Sequence, residues 1–385
     1  VTDLFAPLQS LKQGNWFKLI CGASFQHLPA VRSLTLAYTL AGADCIDVAA
    51  DSAVIAAAQA GLQIAKSLAS DAQKRGFEYK GNSPFLMVSL NDGEDPHFRK
   101  AEFDPTKCPT DCPRPCERIC PAQAIVFNSI KEDLSGVISE KCYGCGRCIP
   151  ICPHDKIYTS SYASTPGAIA PLVMSTGVDA VEIHTKVGRL AEFEKLWQAI
   201  SPWADQLKLL AISCPDGEGM TDYLKALHNL IVPFKSALIW QTDGRPMSGD
   251  IGDGTTIAAV KLGQKVLAAQ LPGYVQLAGG TNSYTVAKLK AMGLLNRAGG
   301  AGGDEGAGGA ITSSSPSSSP SIAGVAYGSY ARVLLSPILE QLENKEVNNT
   351  NVKATVRLEE DDVLLWQAVE LAHSLVSQIK SQHER

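Results

Sequence analysis

Apolar residues fall along this chain in short dense runs, separated by stretches in which apolar positions recur every three or four residues. Eight runs read as strands: Trp16 to Cys21, Cys45 to Ala50, Phe85 to Leu90, Ala180 to His184, Leu207 to Ser213, Ser236 to Gln241, Tyr274 to Leu277 and Ile322 to Tyr327. Helical spacing follows the first at Val31, Leu34, Leu36 and Leu40, and an alanine-rich helix from Ser52 follows the second. The last five are each followed by a helix-like segment: Leu190 to Ile200, Met220 to Ile231, Thr255 to Ala269, Tyr284 to Leu294 and Tyr330 to Leu342. Alternation of this kind predicts a parallel sheet with helical crossovers. Eight units fit a closed (β/α)₈ barrel, and an open doubly wound sheet fits the local pattern equally well.

Length favours the barrel. Outside a cysteine-rich stretch at 104–158, a Gly/Ser tract at 298–321 and a tail at 342–385, about 260 of the 385 residues remain, against about 250 for a typical barrel. The expected organisation is therefore a first part of the barrel at 1–103, an insert at 104–158, the rest of the barrel at 159–341 and the tail at 342–385. The tract has too few apolar groups to offset the entropy of ordering and is expected to be a disordered loop. In the tail, Val363, Leu364, Trp366, Val369, Leu371, Ala372, Leu375, Val376 and Ile379 predict an amphipathic helix, with Asp361 and Asp362 favourably placed at its positive end. That helix either packs on the barrel or binds a partner.

Charge narrows the function. Thirty-four basic and thirty-nine acidic residues give a net charge of −5 with no basic stripe, which argues against a nucleic-acid partner. No apolar run approaches the ~20 residues of a membrane-spanning helix. The first ten residues lack the basic and apolar regions of a signal peptide, so a cytoplasmic location is expected.

Cysteine placement carries the chemistry. Eight of eleven cysteines lie between Cys108 and Cys152, while Cys21, Cys45 and Cys214 stand apart as expected buried small residues. Cys142, Cys145, Cys148 and Cys152, followed by Pro153, are spaced C-x₂-C-x₂-C-x₃-C-P, the run by which bacterial ferredoxins wrap an iron–sulfur cubane. Cys108, Cys112, Cys116 and Cys120, followed by Pro121, repeat the plan with the first two gaps each one residue wider. Because the fourth cysteine of such a run serves the other cluster, Cys108, Cys112, Cys116 and Cys152 are expected to hold one cluster, and Cys120, Cys142, Cys145 and Cys148 the second. The spacing fits two [4Fe–4S] clusters, or one [4Fe–4S] with one [3Fe–4S] at the wider site. A pair of structural zinc sites is the competing assignment.

The insert follows the third strand, on the C-terminal face where barrels carry active sites. Strand ends there offer Cys21, Asp51, Asn91, His184, Cys214, Asp216, Asp243 and Arg245, with Asp243-Gly244 reading as a turn. Gly279, Gly280, Gly328 and Ser329 close the last two strands. They are either plain turns or the phosphate-binding position of barrels, where flavin mononucleotide would fit. No convincing acid–base set emerges, which leaves open whether the chain is an enzyme.

The segments Trp16-Phe-Lys-Leu-Ile-Cys-Gly-Ala-Ser-Phe-Gln26 and Gly42-Ala-Asp-Cys-Ile-Asp-Val-Ala-Ala-Asp51, together with both cysteine groups, resemble the light-dependent period A (LdpA) family of cyanobacteria. The resemblance covers nearly the whole chain apart from the Gly/Ser tract and the tail. It implies an iron–sulfur protein that conveys redox state, and hence light conditions, to the circadian clock, with clock and clock-input proteins as partners. A flavin-dependent barrel oxidoreductase fed with electrons by the two clusters is the alternative, and a redox carrier is a further expected partner.

Overall fold

A computed structural model describes residues 6–22, 27–93, 99–120, 123–129, 134–138, 141–142, 148–161, 174–244, 254–295, 321–348 and 357–380. In chain order the strands are β1 (Trp16–Gly22), β2 (Cys45–Ala49), β3 (Phe85–Asn91), β4 (Arg99–Glu102), β5 (Ile125–Ser129), β6 (Leu134–Val137), β7 (Tyr158–Ser161), β8 (Ala180–His184), β9 (Leu209–Pro215), β10 (Ala237–Asp243), β11 (Tyr274–Ala278) and β12 (Ile322–Tyr327). The helices are α1 (Ala6–Gln13), α2 (Leu28–Leu40), α3 (Ser52–Ser67), α4 (Ala69–Lys74), α5 (Pro115–Ile119), α6 (Cys148–Ile151), α7 (Leu190–Ile200), α8 (Met220–Ile231), α9 (Thr256–Ala268), α10 (Thr285–Ala291), α11 (Ser329–Asn348) and α12 (Asp362–Lys380).

β1, β2, β3, β8, β9, β10, β11 and β12 pair in parallel in that order, and β12 closes on β1. This is the closed (β/α)₈ barrel rather than the open sheet. Each strand is apolar because it is covered on both faces, by helices outside and by side chains of the other strands inside. At the floor, Trp16, Phe85, Met87, Leu209 and Ile239 fill the interior, and Leu8 and Leu11 of α1 pack up against them. The Gly/Ser tract lies outside the described residues except for Ser321.

Strand packing is tight where β12 passes β1. Gly324 is in register with Trp16, and a Cβ built on it would lie 2.5 Å from the Trp16 carbonyl oxygen and 2.6 Å from its Cδ1. Backbone cannot yield as a flexible side chain does. Gly324→Ala is therefore expected to cost about 1–3 kcal/mol, read as a lower denaturation midpoint at unchanged slope.

α12 packs on α2 and α11, burying Leu364, Leu365, Val369, Ala372 and Val376, so the tail helix is part of the barrel's outer wall. α11 runs on to Asn348, beyond the expected boundary at 341. Asp361 accepts a hydrogen bond from the Leu364 N–H at 3.1 Å and pairs with Lys345. Lys380 pairs with Asp44 (2.5 Å) and reaches Ser10 (3.0 Å), tying the end of α12 to α1.

Between β3 and β8 sits the cysteine insert, with an apolar core of its own built on Ala101, Phe103, Ala124, Ile125 and Ile157. β5 and β6 form one antiparallel hairpin, and β4 and β7 form an antiparallel ribbon, with Glu102 opposite Tyr158 and Arg99 opposite Ser161. The ribbon carries the insert's regular structure outward from 104–158 to 99–161. Arg99-Lys100-Ala101-Glu102 has no apolar alternation, which is why this strand was not legible. Polar clamps fasten the insert to the barrel. Arg189 pairs with Asp92 (Nε to Oδ1, 2.9 Å), which also accepts a hydrogen bond from the Thr185 hydroxyl (2.5 Å). Gly93 passes so close beneath the Arg189 guanidinium that a side chain there would strike it. On the other side Lys100 of β4 pairs with Asp51 at 3.3 Å, while Asp51 caps α3 through the Ala53 and Val54 N–H groups.

Candidate functional site

The first cysteine group lies on the loop and short helix before β5, and the second leads into α6. Cys116 lies in α5 and Cys148 opens α6, and these two helices pack together. Burial raises the Cys108 thiol above its ordinary range, and Cys112 and then Cys152 push it further. Burial likewise raises Cys116, with Cys152 and Cys108 contributing. Cys108, Cys112, Cys116 and Cys152 are therefore electrostatic neighbours, the last arriving from the second sequence motif. Burial and mutual repulsion favour the protonated thiols of Cys108 and Cys116, and a cationic centre would take them as thiolates.

Backbone donors surround the sulfurs. The Ala124 N–H donates to Cys120 Sγ (3.2 Å), Ala101 N–H to Cys142 Sγ (3.4 Å) and Lys156 N–H to Cys152 Sγ (3.4 Å). Such bonds stabilise thiolates and tune clusters. Cys116, Cys142 and Cys148 are buried in the small core of the insert, and Cys120 and Cys152 pack against it. Cys145 lies outside the described residues. Among the described residues no three His, Cys, Asp or Glu side chains converge as they would on one metal ion. A cubane, which spreads its thiolates over four corners, asks for no such convergence.

The isolated cysteines play no part in this set. Burial pushes Cys21 and Cys214 each up to about 12, and Cys45 sits in the apolar floor. Thiols held protonated in this way are inert.

Inside the barrel, above the floor, lies a polar layer that no motif announces. Lys18 Nζ is 2.8 Å from Asp47 Oδ2, donates to Gln241 Oε1 at 3.0 Å, and pairs with Glu182. Gln241 Nε2 donates to Glu182 Oε1 (2.5 Å), Gln276 Nε2 to Gln241 Oε1 (2.6 Å) and Trp16 Nε1 to Gln276 Oε1 (2.6 Å). Ser89 donates to Asp47 at 2.7 Å. Burial would lower the Lys18 ammonium, but Asp47 and Glu182 more than reverse it and hold it above its ordinary value. Burial pushes Asp47 up to about 6, with Lys18 opposing and Glu182 adding to the rise.

At the mouth His184 Nε2 lies 3.2 Å from Glu182 Oε1 and Nδ1 lies 3.9 Å from Asp243 Oδ2. Asp243 is the last residue of β10 and accepts from the Ser213 hydroxyl, so its side chain belongs to the barrel interior rather than to a turn. The other strand-end residues disperse. Asp216 pairs with Lys265 at 2.6 Å on the surface, Asn91 ends β3 exposed, and Arg245 lies outside the described residues.

Gly279 and Gly280 both take positive φ, 61° and 86°, and a Cβ on Gly280 would meet the Thr255 carbonyl oxygen at 2.9 Å. The Gly280 carbonyl accepts from the Thr255 hydroxyl at 2.8 Å. Ser329 opens α11, and Arg332 donates to its hydroxyl (3.2 Å) and to the Ile20 carbonyl (3.1 Å), beside Gly328.

A (β/α)₈ barrel whose third crossover carries a ferredoxin-like cysteine insert defines an iron–sulfur barrel protein. Residues 108–163 match the LdpA Fe–S cluster-binding domain, and residues 172–378 match the light dependent period A C-terminal domain. A curated protein of Synechococcus elongatus, light dependent period A, is 46% identical over 374 residues, covering 97% of this chain and 94% of that protein. The chain belongs to the light dependent period A family. No helix among the described residues is long and apolar enough to cross a membrane.

Proposed function

We propose that this chain is a cytoplasmic redox sensor that reports light-dependent redox conditions to the circadian clock through two iron–sulfur clusters. Cys108, Cys112, Cys116 and Cys152 hold the first, and Cys120, Cys142, Cys145 and Cys148 hold the second. The observation that carries this reading is the packing of α5, which holds Cys116, on α6, which Cys148 opens and Cys152 follows, so that cysteines of both motifs meet in one small core. When bound, the clusters supply one-electron chemistry at potentials set by their surroundings. Cys120 and Cys152, exchanged between the motifs, knit the insert, so that cluster state is expressed as order on the face opposite the barrel floor. The name of the Synechococcus elongatus relative links that protein to a light-dependent period, and clock and clock-input proteins are the partners it suggests here.

Anaerobic purification followed by metal and sulfide analysis tests the cluster content. Iron and acid-labile sulfide near eight each per chain are expected for two cubanes, and an iron count nearer seven for one [4Fe–4S] with one [3Fe–4S]. Zinc at about one or two per chain without sulfide would instead identify structural zinc sites.

One observation favours a second reading, a flavin-dependent oxidoreductase with the phosphate of flavin mononucleotide at Gly279, Gly280, Gly328 and Ser329. Arg332 lies beside Gly328 and Ser329 and forms no ion pair among the described residues. Flavin released on denaturing the same anaerobic preparation would establish it.

A further inference from the structure

Arg114 stands between two prolines and two cysteines in Cys112-Pro-Arg-Pro-Cys116, with φ 50° and ψ 52°. Left-handed backbone is uncommon for a residue with a side chain, and a residue preceding proline is further disfavoured in helical conformations. Glycine would adopt this φ without strain. An arginine here puts a large cation where a small residue would be more relaxed.

The side chain is half-buried and laid on an aromatic ring. Its guanidinium carbon lies 4.3 Å from the centroid of the Phe127 ring, a cation–π distance. Phe127 in turn packs on Phe103, ring centres 5.6 Å apart, in the core of the insert. Arg114 forms no ion pair among the described residues, so no carboxylate there cancels its charge. Its place in the chain, two residues from Cys112 and two from Cys116, keeps that charge at the first cysteine group.

We infer that Arg114 sets the reduction potential of the first cluster, as a fixed positive charge held on Phe127 between Cys112 and Cys116. The inference rests on the proposed assignment of Cys108, Cys112, Cys116 and Cys152 to that cluster. One-electron reduction adds one negative charge, and no proton, to a site already ringed by thiolates. A guanidinium held nearby stabilises that added charge, so the reduced state is favoured and the potential rises. The backbone strain at Arg114 is consistent with this role, since strain of this kind persists where the surrounding structure over-determines it.

Arg114→Gly tests the point without threatening the fold, because it relaxes the backbone while removing the charge. Redox titration of the anaerobic protein, followed by electron paramagnetic resonance, is expected to show the first cluster shifted to more negative potential. The reduced-to-oxidised ratio at a fixed potential should fall about tenfold, equivalent to about 59 mV for a one-electron couple. The second cluster should move less, and Cys116→Ser identifies which signal is which. Arg114→Lys, which keeps the charge, should restore most of the shift. Full iron and sulfide with an unmoved first potential, or an equal shift in both clusters, overturns the assignment to Arg114 alone. Absence of iron and sulfide from the unaltered chain overturns the cluster assignment beneath it.

Discussion

Lys18→Met is expected to destabilise the folded chain by about 3–5 kcal/mol, because it strands two buried carboxylates, Asp47 and Glu182, without their shared cation. The loss should appear as a lower midpoint in denaturant unfolding. Replacing Lys18, Asp47 and Glu182 together by apolar residues of similar size should recover most of it, since the penalty comes from uncompensated charge rather than from lost volume. A triple variant as unstable as Lys18→Met would refute that account. The same layer predicts a pH dependence. The Asp47 carboxyl titrates near 6 in the folded chain, against about 3.9 when unfolded. Between these values the unfolded chain has released the proton and the folded chain keeps it. The contribution is thus fully present below about pH 4 and lost as pH rises through about 6. Asp47→Asn should flatten stability across that window, as measured by unfolding at fixed pH steps.

The second large effect concerns the insert. Cys116→Ser is expected to remove one cluster, halving iron and sulfide to about four each, and to loosen residues 99–161 while the barrel persists. The core of the insert is small and includes Cys116, Cys142 and Cys148 among its buried members. A domain of this size depends on metal bonds where a larger one depends on apolar area. The barrel keeps its own core, so its unfolding midpoint should hardly move. Hydrogen exchange on native and variant protein distinguishes the two regions. Equal protection of the insert in both would sink the order-to-disorder switch and leave electron transfer as the better account.

Much of the architecture was legible because the fold repeats one rule. Strands covered on both faces are mostly apolar, and all eight runs became barrel strands. The ferredoxin spacing was legible for a different reason, since few residues and short loops must wrap one compact cluster. The buried ionic layer was missed, although a signal exists. Lys18, Asp47, Glu182 and Gln276 each interrupt an otherwise apolar run near its middle, as in Trp16-Phe-Lys-Leu-Ile-Cys21 and Tyr274-Val-Gln-Leu-Ala278, and Gln241 ends one. A lone polar residue in one strand reads as an exception. Recurring in five strands, it marks a level of the barrel interior, because inward positions of neighbouring strands share layers. His184 could be singled out as titratable, but its neighbours Glu182 and Asp243 could be identified only once strands β8, β9 and β10 were side by side.

The bond from Lys380 to Ser10 and Asp44 brings the last described helix against the first, beside the floor formed by Trp16 and Leu11. The insert leaves the opposite end, from β3 through Asp92 and Gly93. Anchoring the protein through α1 or the Lys380 end of α12 to an electrode or a sensor chip therefore turns the cysteine-bearing face outward. Voltammetry and partner capture can be run on one immobilised sample with that face unobstructed.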